Sequence, residues 1–291
     1  MKILIVGGTR FFGIGMTRSL IAKGHDITVA TRQSGGFFGD SVKYAFFDRM
    51  DGESVKRAVG GECFDIIIDK VAYCSDDVRS LLENVRCGRY IQMSTCSVYD
   101  EDKDGIIENV FIASKYPILW MNRNENYAEG KRQAERAALE FVDESNCVFV
   151  RYPVVLGKND YTERLKWYVR HVSNGIPMYV DDLDYGVEYI QEQEAGCFIA
   201  HLVNQDFSGP VNGCSTGQIS ARSIIEYIEK KTGKKAILNR NGEPAPFNGT
   251  VANTSYDTQK ALATGFRFSK IEDWIFDLLD YYIERQTREE T

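Results

Sequence analysis

Short apolar runs alternate with longer mixed stretches through the first half of this chain. "KILIV" (2–6), "DITVA" (26–30), "VKYAFF" (42–47), "FDIIID" (64–69), "RYIQM" (89–93) and "CVFVRY" (147–152) are brief and rich in β-branched and aromatic residues. Such runs predict buried strands. The stretches between them read as helices: 13–23, closed by Gly24; 75–87, opened by Ser75-Asp76-Asp77; and 127–144, poor in strand formers until Phe141. Strand and helix in alternation predict a parallel sheet with helices on both faces and ligands at the carboxyl ends of the strands. After about residue 156 the pattern loosens, although "SARSIIEYIEKKTG" and "KIEDWIFDLLDYYIERQ" read as amphipathic helices. We expect a sheet domain over 1–155 and a smaller, mainly substrate-binding lobe over 156–291, built across the cleft.

The turn after the first strand narrows the fold further. Gly7-Gly8-Thr9-Arg10-Phe11-Phe12-Gly13 leads from an apolar run into a helix, the arrangement that cradles a dinucleotide phosphate. A doubly wound, Rossmann-type α/β fold follows. Gly7, Thr9, Arg10, Phe11, Phe12 and Gly13 are therefore expected at the cofactor. Position 10 holds arginine where a Gly-x-x-Gly-x-x-Gly loop has its middle glycine.

Composition removes some alternatives. The chain has 291 residues, a net charge of −7 and 43% hydrophobic residues. That is enough for a full core, and the acidic balance argues against nucleic acid as the main partner. Seven cysteines without Cys-x-x-Cys spacing, and no leader-like segment, predict free thiols in a reducing cytoplasm. No apolar run reaches the ~18 residues of a membrane span. His25, His171 and His201 are too scattered to predict a metal site.

"GGTRFFG", "STCSVY", "YAEGK" and "RYPVVLGKND", in this order, resemble the extended short-chain dehydrogenase/reductase family. Its sugar-nucleotide epimerases and reductases are the best fit, and the resemblance runs nearly the whole chain. "SGPVNGC" is similar to the family's late strand, which would return to the sheet near 209–213. The resemblance implies hydride transfer with a nicotinamide dinucleotide on a nucleotide sugar or related hydroxy or keto substrate.

The chain holds four Tyr-x-x-x-Lys matches, starting at Tyr99, Tyr127, Tyr227 and Tyr256. Context selects Tyr127 and Lys131, which follow the fifth strand and its loop and open a helix. Spacing of four puts both on one helix face. A free tyrosine has a pKa near 10. A nearby ammonium and an oxidised nicotinamide ring would both favour the phenolate, making Tyr127 an acid–base group. The family's pattern places Thr95 at the substrate oxygen, with Ser94 as runner-up. It puts Asp48 at adenine, Val71 and Ala72 where the fourth strand meets the cofactor, and Pro153 beside the nicotinamide. Arg164 offers a cation for a substrate diphosphate.

The second strand ends in Thr31-Arg32, without the acid that binds a ribose 2′-hydroxyl. Arg10 and Arg32 would suit a 2′-phosphate, so NADP is expected, with NAD as second choice. Cys96-Ser97 stand where 4,6-dehydratases of the family carry an acidic pair, which disfavours that activity. Val78, Leu81, Leu82, Ala134, Ala137 and Ala138 suggest a homodimer face. Trp120 and Met121, in a long loop, are read as either functional or core. Two other readings stay open: a cofactor-binding sensor without catalysis, and an RNA-associated protein, since "GGTRF" is similar to chloroplast stem-loop binding relatives.

Overall fold

The computed structural model describes residues 1–32, 36–101, 103–247 and 254–289. Six apolar runs form β1 (Lys2–Val6), β2 (Asp26–Thr31), β3 (Lys43–Phe46), β4 (Cys63–Asp69), β5 (Arg86–Thr95) and β6 (Cys147–Tyr152). Helices α1 (Phe12–Ala22), α2 (Gly52–Val59), α3 (Ser75–Leu82) and α4 (Tyr127–Ala138) lie between them. The second half contributes β7 (Val154–Leu156), α5 (Arg164–Asn174), β8 (Met178–Tyr179), β9 (Gly186–Val187), β10 (Tyr189–Gln191), α6 (Glu192–Leu202) and β11 (Gly209–Asn212). Helices α7 (Ala221–Thr232), α8 (Gln259–Ala263) and α9 (Ile275–Glu289) complete the chain.

Seven strands make one parallel sheet in the order β11-β6-β5-β4-β1-β2-β3, the doubly wound arrangement expected. One apolar layer packs the face covered by α2, α3 and α4, around Leu4, Ile67, Val78 and Ala134. The opposite layer joins Ile5, Met16 and Ile68 to Phe198 and Ile199 of α6. Burial on both faces is why these strands read as nearly unbroken apolar runs. A third cluster, around Leu165, Tyr168, Ile225 and Leu279, forms the core of the second lobe.

Two helices are shorter than the pattern suggested. Arg86 and Cys87, expected in a helix over 75–87, are extended in β5 and pair with Cys63 and Phe64. The helix expected over 127–144 stops at Ala138, and tight turns follow: the Glu140 and Phe141 amides donate to the Ala137 and Ala138 carbonyls at 3.1 Å. The turn brings Phe141 and Val142 against the core. Local apolar spacing cannot report such tertiary demands.

All six side chains proposed for a dimer face are buried within the chain, Leu82 at 7% exposure being the most open. They pack α3 and α4 onto the sheet, so these six side chains are core rather than surface. Trp120 stacks edge-on with Phe141, and the Met121 carbonyl accepts from the Asp76 amide. Trp120 and Met121 therefore pack against α3 and the turn after α4. Among the described residues no helix is long and apolar enough to cross a membrane, and no three His, Cys, Asp or Glu side chains cluster as metal ligands.

Candidate active site

The turn from β1 into α1 is held by close approach. Gly7 has φ +92°, and a Cβ there would stand 2.8 Å from Val71 Cγ1. A Cβ on Gly13 would stand 2.7 Å from the Gly7 carbonyl oxygen. These two glycines let the loop and helix meet the end of β4. Arg10 needs no glycine conformation; besides Gly7, the residue of this loop with positive φ is Phe11, at 53°. The Arg10 side chain is exposed, with its guanidinium 5.7 Å from the ring centre of Tyr161. That aims Arg10 at the second lobe, and no contact with Arg32 is found among the described residues. Arg32 is exposed just past β2. Asp48 spends its carboxylate locally, accepting from the Met50 amide at 3.0 Å.

Tyr127 opens α4, where Asn126 caps the helix by accepting from the Glu129 amide. Tyr127 is 44% exposed, but its hydroxyl end is enclosed in the cleft. That enclosure raises its pKa, while the nearby Thr95 hydroxyl and Arg164 charge pull it down. Thr95 ends β5 and is fixed by accepting from the Ser97 amide at 3.1 Å. Lys131 is fully buried, 5.9 Å from the ring centre of Tyr127 and 4.7 Å from that of Tyr73. Its ammonium donates to the carbonyls of Ala72 at 2.7 Å and Met93 at 3.0 Å. Burial takes its pKa down to about 7, with Asp69 opposing.

A cavity of about 630 Å³ brings Phe11, Phe12, Thr95, Tyr127, Pro153 and Arg164 together between the sheet and the second lobe. Ser94 also reaches its wall, but its hydroxyl donates to Glu135 at 2.5 Å. That commitment leaves Thr95 as the hydroxyl facing Tyr127. Of the other Tyr-x-x-x-Lys matches, Tyr227 and Lys231 share Asp280 in the second lobe, at 2.9 and 2.7 Å. Tyr99 and Tyr256 stack on each other, and Tyr256 faces the cavity.

Several site residues escaped sequence reasoning. Lys70, one residue past β4, lines the cavity with its ammonium 4.4 Å from the ring centre of Phe12. Burial, and then Arg10, lower its pKa to about 8. Glu188 lines the far wall, where burial raises its carboxyl to about 7 and the Tyr256 amide donates to it at 2.9 Å. The frame was also missed. Arg151 uses all its N–H groups: Glu135 accepts at 3.0 and 2.6 Å, the Tyr99 hydroxyl at 3.2 Å, and the carbonyls of Glu108 and Phe111 at 2.9 and 3.1 Å. This strut locks α4, which carries Tyr127 and Lys131, to β5 and β6. A second strut, Arg49 to Asp69 at 2.6 Å and Arg123 to Asp77 at 3.0 Å, holds the segment that carries Lys70 and Tyr73. A lone charged residue in a sequence does not show its partner, so neither strut could be read in advance.

Residues 71–190 match the model of the NAD dependent epimerase/dehydratase family. A curated relative, the chloroplast stem-loop binding protein of 41 kDa b of Arabidopsis thaliana, is 32% identical over 113 residues. That match covers 34% of this chain and 30% of the relative's length. UDP-glucuronic acid 4-epimerase from Bacillus cereus, solved with NAD, superposes with a TM-score of 0.70 at 17% identity, over 97% of this chain and 96% of that one. UDP-glucose 4-epimerase from Thermus thermophilus, also solved with NAD, gives 0.65 at 16%, over 97% and 99%. The fold is shared nearly end to end, and the likeness to NAD dependent epimerases/dehydratases extends to the sequence over residues 71–190.

Proposed function

Starting from a chain with the extended short-chain dehydrogenase/reductase fold, whose residues 71–190 match the NAD dependent epimerase/dehydratase family, we propose an oxidoreductase or epimerase that uses a nicotinamide dinucleotide. Its substrate is a nucleotide sugar or a related hydroxy or keto compound. The observation that carries this reading is Tyr127 and Thr95 lining one cavity wall, with Lys131 buried 5.9 Å from the Tyr127 ring centre.

The roles follow from the geometry. Thr95 holds the substrate oxygen next to the phenol. Tyr127 takes the hydroxyl proton in oxidation and returns it in reduction. In the ligand-free protein burial keeps the phenol protonated, and Lys131, with its lowered pKa, carries only part of a charge near pH 7. The two carbonyls of Ala72 and Met93 take two of its three ammonium protons and leave one to face the ribose of a bound cofactor. The dinucleotide, once bound, supplies the hydride chemistry and, when oxidised, a positive ring that favours the phenolate. Arg164, near Tyr127 in the cavity, meets the substrate's phosphate. Gly7 and Gly13 let the loop backbone approach the cofactor.

For the finer cofactor choice we favour NADP. The support is Arg32 exposed at the end of β2, without an acid there to receive a ribose 2′-hydroxyl. Arg10 is turned toward Tyr161, so Arg32 carries this preference. Incubating the protein with NADP⁺ or NAD⁺ and a panel of UDP- and dTDP-sugars, with reduced cofactor and epimer products followed, tests the reading. No turnover and no dinucleotide binding would reject it.

The likeness to the stem-loop binding protein favours RNA association as a second reading. The net charge of −7 weighs against it. Fluorescence anisotropy with a labelled stem-loop, titrated at several salt concentrations, separates the two.

A further inference from the structure

Lys70 is 7% exposed and lines the cavity. Among the described residues its ammonium has no hydrogen-bond or ion-pair partner. The surrounding contacts are a ring face, Phe12 at 4.4 Å, and a second cation, Arg10, close enough to disfavour its charge. A buried ammonium without a counter-ion is costly unless an anion comes to it.

The position says which anion. Phe12 is the first residue of α1, an eleven-residue helix with no acid in its first turn and no side-chain cap. Its N-terminus presents the positive end of the helix dipole, although the Gly13 and Ile14 amides already donate to the Arg10 and Phe11 carbonyls at 3.1 and 3.0 Å. Lys70 stands over the ring of Phe12 at that end, and Gly7 brings the loop within 3.4 Å of Lys70 Cβ, measured from an added Cβ. Arg10 leaves the same loop. Two cations and a helix N-terminus suit a group with two negative charges side by side. The substrate end of the cavity has its own cation, Arg164, beside Tyr127.

We propose that Lys70 is a cofactor-anchoring residue whose ammonium, with Arg10, pairs with the diphosphate of the bound dinucleotide. This rests on the dinucleotide-dependent reading above. The pairing would relieve the unpartnered charge, so the ligand-free cleft is held ready at the expense of stability.

Calorimetric titration tests the assignment without any turnover assay. NADPH, ADP-ribose and UDP-glucose are titrated into wild type, Lys70→Met and Lys70→Arg, each checked for folding by circular dichroism. Lys70→Met should weaken NADPH and ADP-ribose alike, by about ten- to a hundredfold, the scale of a charge-assisted contact. Lys70→Arg should recover most of that loss, and UDP-glucose affinity should stay within about twofold. If Lys70→Met does not fold, Lys70→Gln carries the same comparison. Unchanged dinucleotide affinity in the neutral variant, or a loss confined to UDP-glucose, overturns the assignment while leaving the proposed function intact. A wild type that binds neither NADPH nor ADP-ribose overturns both.

Discussion

Arg151 in β6 and Lys70 just past β4 flank the same strand, β5, and each is more than nine-tenths buried. Their surroundings differ in kind. Arg151 is closed: Glu135 neutralises it, and carbonyls and a hydroxyl take its remaining N–H groups. Lys70 is open, with an aromatic face and a like charge for company. Lys131 lies between the two, satisfied by two carbonyls but without a paired carboxylate. The difference separates frame from site. Arg151 is satisfied within the chain, whereas Lys70, for which a ligand is proposed above, has no polar partner among the described residues.

The sharpest test removes chemistry from the open side and leaves the frame alone. Tyr127→Phe should keep the fold and dinucleotide binding but lower turnover by roughly 10²–10⁴. Tyr227→Phe, which alters a pair on Asp280 in the second lobe, should be nearly silent in the same assay. Near-normal turnover by Tyr127→Phe would remove it from the reaction.

Breaking the closed side should act on stability instead. Arg151→Met leaves the Glu135 carboxylate buried without its partner, a loss of about 3–5 kcal/mol by urea unfolding. It should also loosen the seating of α4. An unfolding free energy within 1 kcal/mol of wild type would show that the strut is not needed (about 1 kcal/mol is the scale of an ordinary surface effect).

Lys131 links frame and site through pH. Its folded pKa of about 7 lies well below its ordinary 10.5. Between those values the unfolded chain binds the extra proton, so stability rises with pH. From pH 7 to 8.5 the ligand-free protein should gain at most about 2 kcal/mol from this group. Above about pH 9 the buried thiols of Cys96 and Cys147, held protonated by burial, reverse the slope. Lys131→Met should flatten the rise in denaturant melts across that window. An unchanged slope would mean that Lys131 keeps its proton in the folded state.

The smallest effect concerns an exposed charge outside both groups. Arg32→Ala should weaken NADPH by about tenfold while changing NADH within about twofold, measured calorimetrically. High salt should shrink the difference. Equal wild-type affinities would make NAD the cofactor of choice.

How much was legible in advance follows from what each feature depends on. The strand at 147–152 was read to the residue because it is buried on both faces and its apolar run is unbroken. The end of the helix at 75–87 was misread, because Arg86 and Cys87 become strand only through pairing with β4. Tyr127, Lys131 and Thr95 could be named from spacing and family resemblance. Lys70 and Glu188 could not, since a lysine after a strand and a glutamate before one carry no signal of their own.

The order of apolar runs, the glycine loop and the Tyr-x-x-x-Lys spacing are local properties, and they determined a doubly wound fold with a glycine turn after β1 and a tyrosine and lysine on one face of α4. Which charges are closed and which stay open was decided only by tertiary structure. Glu135 meets Arg151 across sixteen residues, and Arg123 reaches Asp77 across forty-six. Desolvation acts on whatever the folded chain encloses, whatever its distance in sequence.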